Sequence, residues 1–343
     1  MLRCIEIAKN GLGTTAPNPM VGCVIVHDEK IIGEGFTSAY GGAHAEVNAI
    51  NSVRDKNKLK AATLYVTLEP CSHFGKTPPC ADLIIKYQVP KVIIGLVDPH
   101  EKVAGNGVKR LKASGCEVVT GILEKECREH HKRFLTFHEQ KRPYIILKWA
   151  ETSDRFIAPL KAIRNESPEP FWITNAYSQQ LAHLWRSEEQ AILVGTNTVL
   201  EDNPRLDVRH LTGKSPIRVI LDRNLKISSG SHVLDKSIPT IILTEQMNTP
   251  RDTSAIKYVY LDYMEGLASK ICGILYEENI TSVIIEGGAH TLQTFIDANL
   301  WDEARVFTGR TSFSKGVKAP TFSGKFVHSK KISSDTLTIY RND

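Results

Sequence analysis

At 343 residues the chain exceeds one domain of ordinary size, and a hydrophobic share of 41% is enough to fill two packed cores. A net charge of +5 spread along the chain, with only 7% aromatic residues, offers no basic groove with stacking platforms; this argues against a nucleic-acid partner and suits an anionic small molecule. No stretch approaches the apolar length of a membrane span and the N-terminal segment lacks a signal peptide's apolar core, so the seven cysteines, an odd number, point to reduced thiols in the cytoplasm.

The chain opens on an amphipathic helix pattern, MLRCIEIAKNGLG (1–13). MVGCVIVHD (20–28) and KIIGEGFT (30–37) read as a hairpin, and HAEVNAINSV (44–53) as a helix with His44 and Glu46 in its first turn. AATLYVTLEP (61–70) is a β-rich run that delivers Cys71 at a strand end. PPCADLIIKYQV (78–89) reads as a helix with proline just inside its start and Cys80 in its first turn. KVIIGLVD (91–98) and CEVVTG (116–121) are strands, with NGVKRLKASG (106–115) as the helix between them. The alternation predicts parallel pairing and a three-layer α/β domain. LEKECREHHKRFLTFHEQKRP (123–143) is predicted as one charged helix whose His130 and His131 lie on a solvated face, and Pro143 marks the domain boundary. This places one domain at 1–143 and a second at 144–343.

In the second half, YIILKWAET (144–152), AILVG (191–195), IRVILD (217–222), TIILT (240–244), KYVYL (257–261) and SVIIEGG (282–288) read as short buried strands. Helices at 176–188, 265–279 and 291–299 separate some of them. This is again α/β, in a different rhythm and without a metal-ligand cluster.

The chemistry is concentrated in His44-x-Glu46, followed by Pro70-Cys71 and then Cys80 after eight residues. One imidazole and two thiolates supply three zinc ligands and leave the fourth tetrahedral position to a water, whose pKa such a site lowers to about 7. Glu46 sits where a carboxylate can move that water's protons without being a ligand, the pattern of zinc deaminases. A closed structural site would need a fourth protein ligand, for which His73 is the candidate, but it would leave Glu46 and Pro70 without a role. Cys4, Cys23, Cys116, Cys127 and Cys272 read as small buried hydrophobes. Gly287 and Gly288, between a strand and a helix, either let backbone amides approach a phosphate or form an ordinary turn; G-x-G-x-x-G is missing, and the residues alone leave both open.

APNPMVGCVIV, GGAHAEVNAI, TLYVTLEPCSHFGKTPPCADLII and IIGLVDPHEKVAGNGVKRLKASGCEV resemble the N-terminal half of the bifunctional deaminase–reductase (RibD) family of riboflavin biosynthesis. LVGTNTVLEDNPRLDVR and VIIEGGAHTLQTF resemble its reductase half. The resemblance implies a cytidine-deaminase-like domain followed by a dihydrofolate-reductase-like α/β domain. It implies zinc and NADPH as cofactors, and a phosphoribosylated diaminopyrimidine that is first deaminated and then reduced at its ribosyl carbon. On it, Ala150, Trp172, Thr198, Asp202 and Gly288, Ala289, His290, Thr291, Leu292, Gln293 and Thr294 line the NADPH site, and Arg186, Leu206, Arg209 and Glu286 meet the substrate. Arg186 and Arg209 suit its phosphate, since a guanidinium fork matches phosphate oxygens. Without the resemblance, either arginine reads as a surface salt-bridge residue and Trp172 as core.

Two positions depart from the family pattern. Asp154 is followed by Arg155 where the family has glycine, so a turn needing positive φ would be strained, and Pro170 stands where a serine often contacts substrate. The expected partners are a small phosphorylated pyrimidine and further copies of the chain, with neither nucleic acid nor membrane. The competing reading is a zinc deaminase of another nucleoside or nucleotide with a degenerate, non-catalytic C-terminal domain.

Overall fold

The computed structural model describes residues 1–74, 78–99, 105–161, 168–209 and 211–342, and the chain divides into two compact units, Met1–Lys141 and Arg142–Asp343. The middle of the SHFGKTPP insert (75–77) and of the DPHEKVAGNG stretch (100–104) lies outside the described residues.

The first unit contains α1 (Leu2–Ala8), β1 (Gly22–His27), β2 (Lys30–Phe36), α2 (Ala45–Ser52), β3 (Thr63–Leu68), α3 (Cys80–Lys86), β4 (Lys91–Leu96), α4 (Asn106–Ala113), β5 (Glu117–Thr120), α5 (Glu124–His130) and α6 (Lys132–Gln140). Its sheet runs in the order β2-β1-β3-β4-β5. The β1–β2 hairpin is antiparallel, β1 also runs antiparallel to β3, and β3, β4 and β5 are parallel, as the helix–strand alternation predicts. Ile25, Leu64, Val66 and Ile94 from the strands pack with Ala49, Ile50, Ala81 and Ile84 from α2 and α3 in one buried core. The helix α2 lies hard against β2, because a Cβ at Gly35 would come within 2.3 Å of the Ala49 backbone nitrogen.

The expected single helix over 123–143 is two, α5 and α6, which meet at His131. Its two histidines do not form a solvated face. His131 is 2% exposed, with Nε2 3.1 Å from Thr67 Oγ1 on β3, and His130 Nε2 lies 2.7 Å from the Met20 carbonyl. Burial pushes the His131 imidazole well below its ordinary pKa, so it enters the fold neutral.

The second unit contains β6 (Tyr144–Glu151), β7 (Phe156–Pro159), α7 (Ala176–Glu188), β8 (Ala191–Gly195), α8 (Thr196–Asp202), β9 (Ile217–Leu221), β10 (Thr240–Thr244), β11 (Ile256–Tyr260), α9 (Leu267–Glu277), β12 (Ser282–Gly287), α10 (Ala289–Asp297), β13 (Glu303–Thr308), β14 (Gly316–Lys318), β15 (Lys325–Ile332) and β16 (Asp335–Arg341). Nine strands pair in the order β11-β10-β9-β8-β12-β6-β13-β16-β15, and β7 pairs with β14 in a separate ribbon. The seven strands from β11 to β13 are parallel, β16 pairs antiparallel with β13, and β15 pairs antiparallel with β16. Successive residues of β6 enter different cores, Ile145 and Leu147 one and Tyr144 and Ile146 the other, so this sheet is covered on both faces. Among the described residues no helix is long and apolar enough to cross a membrane.

Candidate active sites

In the first unit, β3 ends just before Glu69-Pro70-Cys71, α2 begins after His44 as its N-cap, and α3 begins at Cys80. These three segments bring one imidazole and two sulfurs together. His44 Nδ1 lies 3.3 Å from Cys80 Sγ and 3.6 Å from Cys71 Sγ, and all three ligand atoms fall within 4.8 Å of one another. Zinc bond lengths of about 2.05 Å to nitrogen and 2.3 Å to sulfur give a tetrahedral N···S edge of roughly 3.6 Å, so the donor set and its spacing fit zinc. His73 is exposed and does not join the cluster, which among the described residues offers three ligand atoms.

Glu46, in the first turn of α2, is 3% exposed. Burial, reinforced by the neighbouring Cys71, raises its carboxyl to about 7. A carboxyl poised there can take and give a proton near neutral pH. The hydrogen bond from Cys80, followed by that to His44, pushes the Cys71 thiol down, while Cys80 is pushed up, as two sulfurs sharing one proton must be. The Cys80 amide donates to Cys71 Sγ at 3.3 Å, which further favours a thiolate there.

The second unit holds a cleft of about 910 Å³ along the C-terminal ends of its parallel strands, where open α/β sheets bind ligands. Ala150, Trp172, Thr198, Asp202, Gly288, Ala289, His290, Thr291, Leu292 and Thr294 line it, together with Arg186, Leu206, Arg209 and Glu286. Gln293 does not. Its side-chain amide donates to Asp297 and to the Thr321 carbonyl, and its oxygen accepts from the Thr321 amide. Trp172 is 57% exposed and sits at the rim rather than in a core. The glycines form a close backbone bed: a Cβ at Gly195 would come 2.7 Å from Thr291 Oγ1, and Gly287 has φ +154° with Thr198 Oγ1 3.2 Å from a Cβ placed there. A bed that any side chain would fill, at strand ends and beside the start of α10, suits the pyrophosphate of a dinucleotide such as NADPH.

Arg186 is neither on the surface nor free for a phosphate. Its Nε and Nη2 donate to the two Glu286 oxygens at 2.8 Å each, and Nη1 reaches the Asp207 carbonyl at 3.3 Å. Lys148 of β6 approaches the same carboxylate at 3.4 Å. Burial opposes ionisation of Glu286, but Arg186 and then Lys148 outweigh it and hold the carboxyl at about 2. Arg209 pairs with Asp207 at 3.2 Å and remains 39% exposed, which leaves it the more accessible guanidinium. Lys148 escaped the sequence reading, although a lone lysine inside the apolar run YIILKWA was the signal that could have found it.

Arg155 adopts φ +65°, so the turn keeps the left-handed form despite losing glycine. Asp154 anchors it, accepting from Thr152 Oγ1 at 2.6 Å, Ser312 Oγ at 2.8 Å and the Ser314 amide at 2.7 Å. Pro170 lines the cleft as an apolar wall.

A cluster of three donors at zinc-ligand spacing beside a buried carboxyl, in one α/β unit, and a glycine-bedded cleft with a clamped carboxylate, in another, fit a two-domain enzyme of the deaminase–reductase class. Residues 1–96 match the cytidine and deoxycytidylate deaminase zinc-binding region, and residues 143–335 match the RibD C-terminal domain. The riboflavin biosynthesis protein RibD of Aquifex aeolicus is 40% identical over 320 residues, covering 92% of this chain and 88% of that protein. Its counterpart from Bacillus amyloliquefaciens is 40% identical over 314 residues, covering 90% of this chain and 82% of that one. A Thermotoga maritima crystal structure, described as a diaminohydroxyphosphoribosylaminopyrimidine deaminase/5-amino-6-(5-phosphoribosylamino)uracil reductase, superposes with a TM-score of 0.89 at 38% identity, covering 100% of this chain and 97% of that one. The chain belongs to the RibD family of bifunctional riboflavin biosynthesis proteins.

Proposed function

We propose that the chain catalyses two successive steps on one phosphorylated pyrimidine. The first removes the 2-amino group of 2,5-diamino-6-(5-phosphoribosylamino)pyrimidin-4(3H)-one by hydrolysis, and the second reduces the ribosyl group of 5-amino-6-(5-phosphoribosylamino)uracil to ribityl with NADPH. The activity named for the Thermotoga maritima relative supports this reading, and the His44–Cys71–Cys80 cluster beside buried Glu46 carries it. Deaminase work falls to residues 1–143 and reductase work to 144–343. We place the chain in the cytoplasm, where its seven free thiols stay reduced.

His44, Cys71 and Cys80 would hold zinc, which when bound makes a water acidic enough to attack a ring carbon near neutral pH. Glu46 takes one proton of the attacking water and passes it to the ring nitrogen, then moves the remaining hydroxyl proton to the amino group, which departs as ammonia. In the second unit NADPH, when bound, supplies the hydride. Ala150, Trp172, Thr198, Asp202 and the start of α10 form its bed, while Leu206, Arg209 and the Arg186-held Glu286 orient the ribosyl phosphate. Arg209 meets the phosphate and Arg186 acts by fixing Glu286.

The test is one coupled assay. The purified protein, given the diaminopyrimidine phosphate, releases ammonia without NADPH, and oxidises NADPH only once deaminated product has formed. Ammonia release with no NADPH consumption at any stage would restrict the chain to a deaminase with a non-catalytic second unit.

A further inference from the structure

The two cysteine-bearing segments are held by side chains outside the His44–Cys71–Cys80 cluster. A spacer of eight residues does not by itself fix the distance between Cys71 and Cys80. The fixing comes from α4. Glu69, 4% exposed and two residues before Cys71, accepts from the amides of Asp98 at 3.2 Å and Gly105 at 2.9 Å through Oε2, and from that of Val108 at 3.0 Å through Oε1. Gly105 is the N-cap of α4 and has no side chain to cap it, so a carboxylate from the end of β3 satisfies the first-turn amides instead. The contact is tight: a Cβ at Gly107 would lie 2.1 Å from the Pro70 carbonyl oxygen.

Further along α4, Arg110 completes the grip. Its Nη1 donates to the carbonyl of Ser72, the residue after Cys71, at 3.1 Å. Its Nε and Nη2 take both oxygens of Asp82, two residues past Cys80, at 2.6 and 2.9 Å. Between the gripped segments the Ala81 amide donates to the Cys71 carbonyl at 3.1 Å.

We propose that Glu69 and Arg110 are positioning residues of the zinc site, locking α4 across the two cysteine-bearing segments so that Cys71 and Cys80 are held at ligand spacing. This rests on the zinc reading of His44, Cys71 and Cys80. Groups that orient metal ligands from behind set affinity by 10- to 100-fold in general.

The test uses the full chain carrying Glu69→Gln, Arg110→Lys or Arg110→Ala. Gln keeps the shape of Glu69 but replaces one of its two accepting oxygens with a donor, so at least one of the three amides loses its acceptor. Zinc affinity is read by competition with a chromophoric chelator, and ligand geometry by the absorption bands of the cobalt(II)-substituted protein. Glu69→Gln and Arg110→Ala should each weaken zinc about 10- to 100-fold and shift the cobalt bands. Arg110→Lys, with charge but no fork, should fall between Arg110→Ala and the unmodified chain. NADPH oxidation with deaminated substrate supplied directly should stay unchanged. Arg110 has 44% of its side chain exposed, so its removal opens no core and keeps the test alive if Glu69→Gln fails to fold. Unchanged zinc affinity and cobalt spectrum in Arg110→Ala, even with a lowered melting temperature, would overturn the proposal. An unmodified chain that binds no zinc would remove the metal reading beneath it.

Discussion

Arg186 and Glu286, one hundred positions apart in sequence, meet as a two-point ion pair at 2.8 Å on each contact, with side-chain exposures of 14% and 7%. A pair this dry is stable only while both members are present, because either alone is a buried charge with too few partners. Arg186→Leu should therefore cost about 3–5 kcal/mol, and Arg186→Leu/Glu286→Leu should be more stable than Arg186→Leu alone. All four tryptophans, Trp149, Trp172, Trp185 and Trp301, belong to the second unit, so urea unfolding followed by tryptophan fluorescence reads this unit selectively. A double variant no more stable than the single one would show that the two residues are not energetically coupled.

The same pair sets an acid limit. Glu286 lies at about 2 in the fold against an ordinary value of 4.5, the direction that favours the charged form when folded. A depressed carboxyl contributes stability that is complete above its unfolded pKa and disappears as pH falls through the folded one. The reductase unit should lose roughly 3 kcal/mol between about pH 4.5 and 2 from this group. Tryptophan-detected unfolding across that window should be steep in the unmodified chain and flatter in Glu286→Gln, whose amide does not titrate. Equal slopes would mean that other carboxyls govern acid unfolding.

What the sequence made legible follows from where the information sits. Buried parallel strands such as 191–195 and 240–244 are continuous apolar runs, and their predicted bounds coincide with β8 and β10. β15 was missed because KFVHSKKI is exposed along nearly its whole length and shows no apolar alternation. The turn α8, at the cleft, was missed because TNTVLED is short and polar. Site chemistry shows the same division. His44, Glu46, Cys71 and Cys80 can be read from spacing, because residue types that bind metal and move protons are few. The burial of His131 cannot, since its local sequence is charged and its partner Thr67 lies 64 positions away. The pairing of Arg186 with Glu286 was hidden for the same reason: a guanidinium's partner is chosen by the fold.

Metal removal should separate the two activities. A chelator strong enough to strip the His44–Cys71–Cys80 site should abolish ammonia release, and added zinc should restore it. NADPH oxidation with deaminated substrate should continue throughout, because none of the residues lining the second unit's cleft belongs to the metal cluster. Cys71→Ser should behave as the stripped protein and resist rescue by zinc. Loss of both activities on chelation would mean that the second unit also depends on metal.

Glu46→Gln isolates proton transfer from metal binding. The side chain keeps its shape in the first turn of α2, and a neutral amide is cheaper to bury than a carboxylate at a position 3% exposed. The deaminase unit should therefore melt no lower than before and retain one zinc by elemental analysis. Ammonia release should nevertheless fall by about 10²- to 10⁴-fold, the usual worth of a positioned acid–base group. The shape of the residual rate against pH carries the argument further. Burial and the Cys71 thiolate raise the Glu46 carboxyl, so the unmodified chain should show a kcat/KM profile with a limb assignable to that group, and Glu46→Gln should lack it. Retained turnover with zinc in place would transfer the proton role to another residue, and loss of zinc would make Glu46 part of the metal's support instead.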